Sequence, residues 1–165
     1  MESRNIWLWR ISSSGKGQRL WEESLKSNKI ILYLGLSEMG DLAEYPVEGD
    51  NTIENAYKRI YKQNVTDSKA KSIADACENM LCIDEGDIIM IFNDSNSKLI
   101  CKAWGYVKYP YDYDSSSKFP HYLTVENWNL IDDVPILLKK GKPKSFLREL
   151  NDTEVKLNQD IFYVG

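Results

Sequence analysis

Apolar positions change period several times along this chain, and each change marks an element. "NIWLWRI" (Asn5 to Ile11) packs aromatic and β-branched residues together and predicts a strand. A polar "SSSGKG" loop follows, then "QRLWEESLK", where Leu20, Trp21 and Leu25 share one side of a short helix. "KIILYLGL" is almost continuously apolar and predicts a strand buried on both faces. Past a turn-rich stretch with Gly40, Pro46 and Gly49, the period lengthens to that of helices. Ile53, Ala56, Tyr57, Ile60 and Tyr61 form one stripe, with Asp50 or Asn51 as the cap. A second helix starting near Asp67 carries Ala70, Ile73, Ala74, Cys77 and Leu81.

The second half is mostly strand. "EGDIIMIFND" and "LICKAWGYV" are predicted partners around the hairpin loop "NDSNSK". Pro110 and Pro120 bracket "YPYDYDSSSKFP", which is predicted to leave the sheet before "HYLTVENWNLI" returns to it. "SFLREL" is predicted as a short helix and "DIFYV" as a last strand. Grouped helices followed by strands define an α+β fold with a curved, barrel-like sheet.

Length adds that the 165 residues form a single domain, 1–165. A net charge of -4 confines any nucleic-acid contact to a local basic patch. Lys139, Lys140, Lys142 and Lys144 form the densest one and are the candidate phosphate contacts. Lys58, Arg59 and Lys62 come next, then Lys69 and Lys71. Three cysteines (Cys77, Cys82, Cys101) and the lack of an apolar leader predict a reduced, cytoplasmic protein with free thiols. No run approaches a membrane span, and neither cofactor nor metal is expected.

Catalytic motifs are missing. There is no phosphate loop and no G-x-G-x-x-G, and the single histidine, His121, reads as a hydrogen-bonded structural residue rather than a base. Glu154-Val155-Lys156 spells the E-x-K of metal-dependent nucleases, with Asp132 and Asp133 upstream. Its polar surroundings predict a solvated face instead, so the chain is expected not to be an enzyme.

The densest candidate chemistry lies in "WGYVKYPYDYD", which holds five aromatics in eleven residues. Trp104 falls in a core strand and should be buried. Tyr109, Tyr111 and Tyr113 alternate with polar residues, so in an extended chain their rings point one way. Three rings beside acids suit recognition of a base, by stacking and by accepting hydrogen bonds from an exocyclic amine. Cover for the core, which any one tyrosine taken alone would more readily supply, and aromatic anchors for a protein partner are the other readings.

The order of "IWLW…RLWEE", "IILYLGLSEMGDL", "GDIIMIF…KAWGYVKYPYDYD" and "HYLTVENW" resembles the EVE-type domains of the PUA-like superfamily, in the form found at the N-terminus of McrB-type modification-dependent restriction proteins. That resemblance implies a twisted β-barrel flanked by helices that reads a modified, for instance methylated, base in DNA, or binds RNA, through an aromatic pocket. It implies a downstream GTPase motor and a nuclease subunit as partners. It places the pocket at Ser12, Ser13 and Ser14, at Leu36 and Ser37, and at Tyr109, Tyr111 and Tyr113. Leu36 stands where the family often has a tryptophan.

Overall fold

A computed structural model of the protein describes residues 4–11, 15–31, 36–62, 65–95, 98–138 and 147–163. Among the described residues six strands form one sheet: β1 (Ile6–Arg10), β2 (Lys29–Ile31), β3 (Ile88–Ser95), β4 (Lys98–Tyr113), β5 (His121–Pro135) and β6 (Leu147–Glu149). Their order across the sheet is β2-β5-β4-β3-β1-β6. The helices are α1 (Gly15–Ser27), α2 (Ile53–Ile60), α3 (Asp67–Cys82) and α4 (Asp152–Leu157). This is the expected α+β class: a twisted, half-barrel sheet with helices against it.

Alternation along the central strands creates two cores. Trp7 and Trp9 of β1, with Ile89 and Ile91 of β3, face a large cluster built on α2, α3 and Trp21 of α1. Ile6, Leu8, Ile88, Met90 and Phe92 face the other way, onto Trp104, Leu150 and Ile161. Strands buried on both faces have little solvent face, which is why "IWLW" and "IIMIF" are nearly all apolar. β1 runs parallel to β3, Ile6 opposite Ile88. Trp104 is buried as expected, in edge-to-face contact with Tyr106 and Phe162, both at 5.4 Å.

Several expectations are corrected. The "YPYDY" stretch does not leave the sheet, because β4 continues to Tyr113. The ladder to β5 shifts register between Tyr109 and Asp112, so Pro110 sits at a bulge where its missing N–H costs no bond. The "LRE" of "SFLREL" is strand β6, paired to the open side of β1, rather than helix. Asp160–Tyr163 of "DIFYV" belongs to a 3₁₀ turn over Gln159–Tyr163 rather than a strand, and Val164 lies outside the described residues. The cap of α2 is Thr52, whose side chain accepts from the Asn55 N–H; Asp50 and Asn51 do not cap it. The "KIILYLGL" strand is described only at Lys29–Ile31.

The E-x-K motif lies on α4, and Glu154 is fully buried rather than solvated. It closes a capping box with Asn151 and accepts two hydrogen bonds from the Arg148 guanidinium, at 3.0 and 2.7 Å. Cys77 and Cys101 are buried thiols, each pushed up to about 12 chiefly by burial, whereas Cys82 is exposed. No helix among the described residues is long and apolar enough to cross a membrane. Among those residues no cluster of three or more His, Cys, Asp or Glu could hold a metal.

Candidate functional site

The far end of the β4–β5 hairpin folds over the segment that opens with Leu36. Tyr113 pairs with His121 across the ladder, and Tyr111 lies two residues back on the same strand. Val107, further back again, faces the large core, which carries the tyrosine end of the hairpin against Leu36 and Leu42.

His121 joins the two segments. Its side chain is fully buried, and Nε2 lies 3.0 Å from the Leu36 carbonyl oxygen. A carbonyl can only accept, so Nε2 carries the proton. Burial pushes the imidazole below its ordinary value, which favours the neutral ring. Nδ1 is then an acceptor, and the Tyr111 hydroxyl donates to it across 2.8 Å. The same hydroxyl oxygen accepts the Leu42 N–H at 3.0 Å. One unbroken chain of bonds thus runs from Leu36 through His121 and Tyr111 to Leu42. Burial raises the Tyr111 phenol well above its usual range, with nearby Asp41 adding to the effect, so it stays protonated and able to donate.

Leu36 itself has φ 46 and ψ 34, a left-handed conformation that a leucine rarely adopts. Such a residue costs about 1–3 kcal/mol and persists only where surrounding bonds over-determine it. Here the Leu36 carbonyl accepts from both His121 and the Met39 N–H, and its side chain is packed in the core. The Leu36 side chain is therefore not a pocket wall. Ser37 beside it is exposed.

The three tyrosines do not act alike. Tyr111 is half-buried and committed at its hydroxyl; its ring plane lies within 18° of that of His121. Tyr113 is half-exposed, with its ring 5.3 Å from His121 and inclined by 33°. No hydrogen bond to its hydroxyl is found among the described residues. Tyr109 is 57% exposed and lines a groove with Arg4 and Glu126, to which Tyr111 and Tyr113 do not contribute. The bulges that follow Val107 break the simple alternation that would have aligned all three rings. Ser12, Ser13 and Ser14, like Lys139, Lys140, Lys142 and Lys144, lie outside the described residues.

The adjacent acids are partly engaged. Asp112 accepts from the Tyr122 hydroxyl at 3.1 Å and from the Tyr113 N–H at 2.8 Å, while the Lys29 ammonium sits 4.4 Å above the Tyr122 ring. Asp114 accepts from Ser116 Oγ and N, which hold its carboxyl below the usual carboxylate range. His121 is the hydrogen-bonded structural residue that the sequence predicts, and the structure adds which partners it joins.

The model of a family described as a domain of unknown function, DUF8426, matches residues 9–145. No curated protein matches the chain. Among solved structures, the YTH domain of the Zygosaccharomyces rouxii MRB1 protein, in complex with N6-methyladenosine RNA, aligns over 98% of this chain and 88% of that one. Its TM-score is 0.46 at 12% identity, a likeness that carries no argument about this chain.

Proposed function

The chain belongs to the DUF8426 family, and we propose that it is a non-catalytic nucleic-acid reader that holds a modified base against Tyr113. The observation that carries this reading is the Leu36–His121–Tyr111–Leu42 bond chain. It fixes a strained corner and leaves one half-exposed ring, Tyr113, on a rigid base. Pre-organised stacking surfaces of this kind hold a base without paying to order it on binding. The non-catalytic part is supported by the fate of the candidate catalytic groups. Both nitrogens of His121 are bonded, and Glu154 is locked to Arg148 and its own helix cap.

In this proposal the basic turn of Lys139, Lys140, Lys142 and Lys144 supplies phosphate contacts. DNA as the target, a cytoplasmic setting, and a GTPase motor and nuclease as partners rest on the EVE-type resemblance alone. The test is binding of short DNA and RNA oligonucleotides across a salt series. A log–log slope that steepens with each phosphate contact supports the reading. Absence of binding at low salt to any modified or unmodified oligonucleotide refutes it. A partner protein bound through the tyrosines with little salt dependence would instead establish the docking alternative.

A further inference from the structure

A groove of ≈ 460 Å³ opens beside β4 at Tyr109. One wall is the turn bearing Glu85 and Gly86; the other is the strand segment from Tyr106 to Tyr109, with Arg4 and Glu126 at its rim. The turn is pinned to the strand by two backbone bonds of 2.8 Å, Gly86 N–H to the Val107 carbonyl and Val107 N–H to the Asp87 carbonyl. Gly86 has φ 88, a conformation that favours glycine.

Asp87 organises this wall. It is buried, and its carboxylate accepts from the Trp7 indole at 3.0 Å, from the Asp84 N–H at 3.0 Å and from the Asn5 N–H at 3.3 Å. One side chain thus fixes the turn carrying Glu85 and the segment carrying Arg4. The groove is built before any ligand arrives.

Its chemistry is unusual for a merely solvated face. The Arg4 guanidinium lies 4.8 Å from the Tyr106 ring centre, and the Lys108 ammonium 5.5 Å from that of Tyr109. Among the described residues neither cation has a carboxylate within ion-pair distance, and neither Glu85 nor Glu126 is ion-paired. Two rings, two cations and two carboxylates around one groove match three features of a nucleotide: the face of its base, its phosphate and an exocyclic amine on the base edge. A base stacks, a phosphate takes the cations, and an exocyclic amine donates to a carboxylate.

We propose that this groove binds a nucleotide near the read base, its base stacked on Tyr109 and its phosphate held by Arg4 and Lys108. Glu126 or Glu85 selects a base that carries an exocyclic amine. The inference rests on the nucleic-acid reading above. Tyr109 and Tyr113 lie four residues apart on one strand, about 13 Å, so a single-stranded or flipped-out segment spans both within a few nucleotides.

The experiment measures affinity of short single-stranded DNA and RNA for the wild-type protein and for Tyr109→Ala, Arg4→Ala, Glu126→Gln and Tyr113→Ala, with melting curves for each. The groove residues to be changed are exposed, so these variants should melt like the wild type. Tyr109→Ala should weaken binding by about 5- to 150-fold, and Arg4→Ala should flatten the salt slope. Glu126→Gln should reduce any preference for an adenine, cytosine or guanine over a thymine at the flanking position. If Tyr113→Ala weakens binding while Tyr109→Ala and Arg4→Ala match the wild type, the groove inference falls and the reader stands. If Tyr109→Ala weakens binding and Tyr113→Ala does not, the groove stands and the hairpin site falls. If the wild type binds no oligonucleotide, both fall.

Discussion

Tyr111→Phe removes a single oxygen that serves two buried partners. The Leu42 N–H would lose its acceptor at 3.0 Å, and His121 Nδ1 would lose its donor at 2.8 Å. Leu42 and His121 are both fully buried, so water cannot readily replace the hydroxyl. A buried polar group left without a partner costs about 1–3 kcal/mol. Two such groups sum to about 2–5 kcal/mol, discounted at the upper end because the ring and its packing remain. In a domain of this size that lowers Tm by roughly 5–15 °C. Chemical denaturation should show a lower midpoint with an unchanged m-value, since the surface exposed on unfolding is the same. Tyr113→Ala is the control: its ring is half-exposed and its hydroxyl has no partner among the described residues, so it should cost about 1 kcal/mol or less. A Tyr111→Phe protein as stable as the wild type, with a Tyr113→Ala protein that unfolds, would refute the assignment of structural and ligand-facing roles.

Three further outcomes follow from the same contacts. A Cβ added at Gly105 would sit 2.5 Å from Val125 Cγ1 and 3.2 Å from the Glu126 carbonyl oxygen, so Gly105→Ala should destabilise the fold by about 1–3 kcal/mol, seen as a lower denaturation midpoint. His121 is depressed in the folded protein, so the unfolded chain binds its proton more readily; stability should be intact above about pH 6.5 and fall as pH drops below it. Melting curves from pH 5 to 8 should show that this part of the slope is absent in His121→Gln. Glu154→Gln should destabilise by about 2–4 kcal/mol, by leaving Arg148 without its carboxylate and weakening the α4 cap. Urea denaturation checks the value, and a loss under 0.5 kcal/mol would contradict a structural role for this residue.

Much of this architecture is legible in the chain because burial on two faces leaves a plain signature. "IWLW" and "IIMIF" read as core strands, and the stripes at Ile53–Tyr57 and Ala70–Cys77 read as helices, because local period and tertiary packing agree there. Misreadings occur where a long-range partner decides. "LRE" becomes a strand because β1 has an open side to pair with, which no local propensity records. Pro110 reads as the end of a strand, yet a bulge lets β4 pass through it. The site divides in the same way. The tyrosines stand out by composition, but their separate roles depend on bulges and on a histidine 85 residues from the carbonyl it binds. Leu36 reads as a missing stacking residue, whereas its backbone carries the role: a left-handed corner tied to the hairpin.

Tyr113, whose ring lies 5.3 Å from that of His121, is the ring proposed to stack on a base. The most direct measurement is the affinity of wild-type and Tyr113→Ala protein for matched oligonucleotides that differ by one methylated base. The wild type should bind the modified oligonucleotide more tightly, and Tyr113→Ala should lose about 1–3 kcal/mol with its melting curve nearly unchanged. Equal affinity of wild-type and Tyr113→Ala protein for every oligonucleotide would contradict that stacking role.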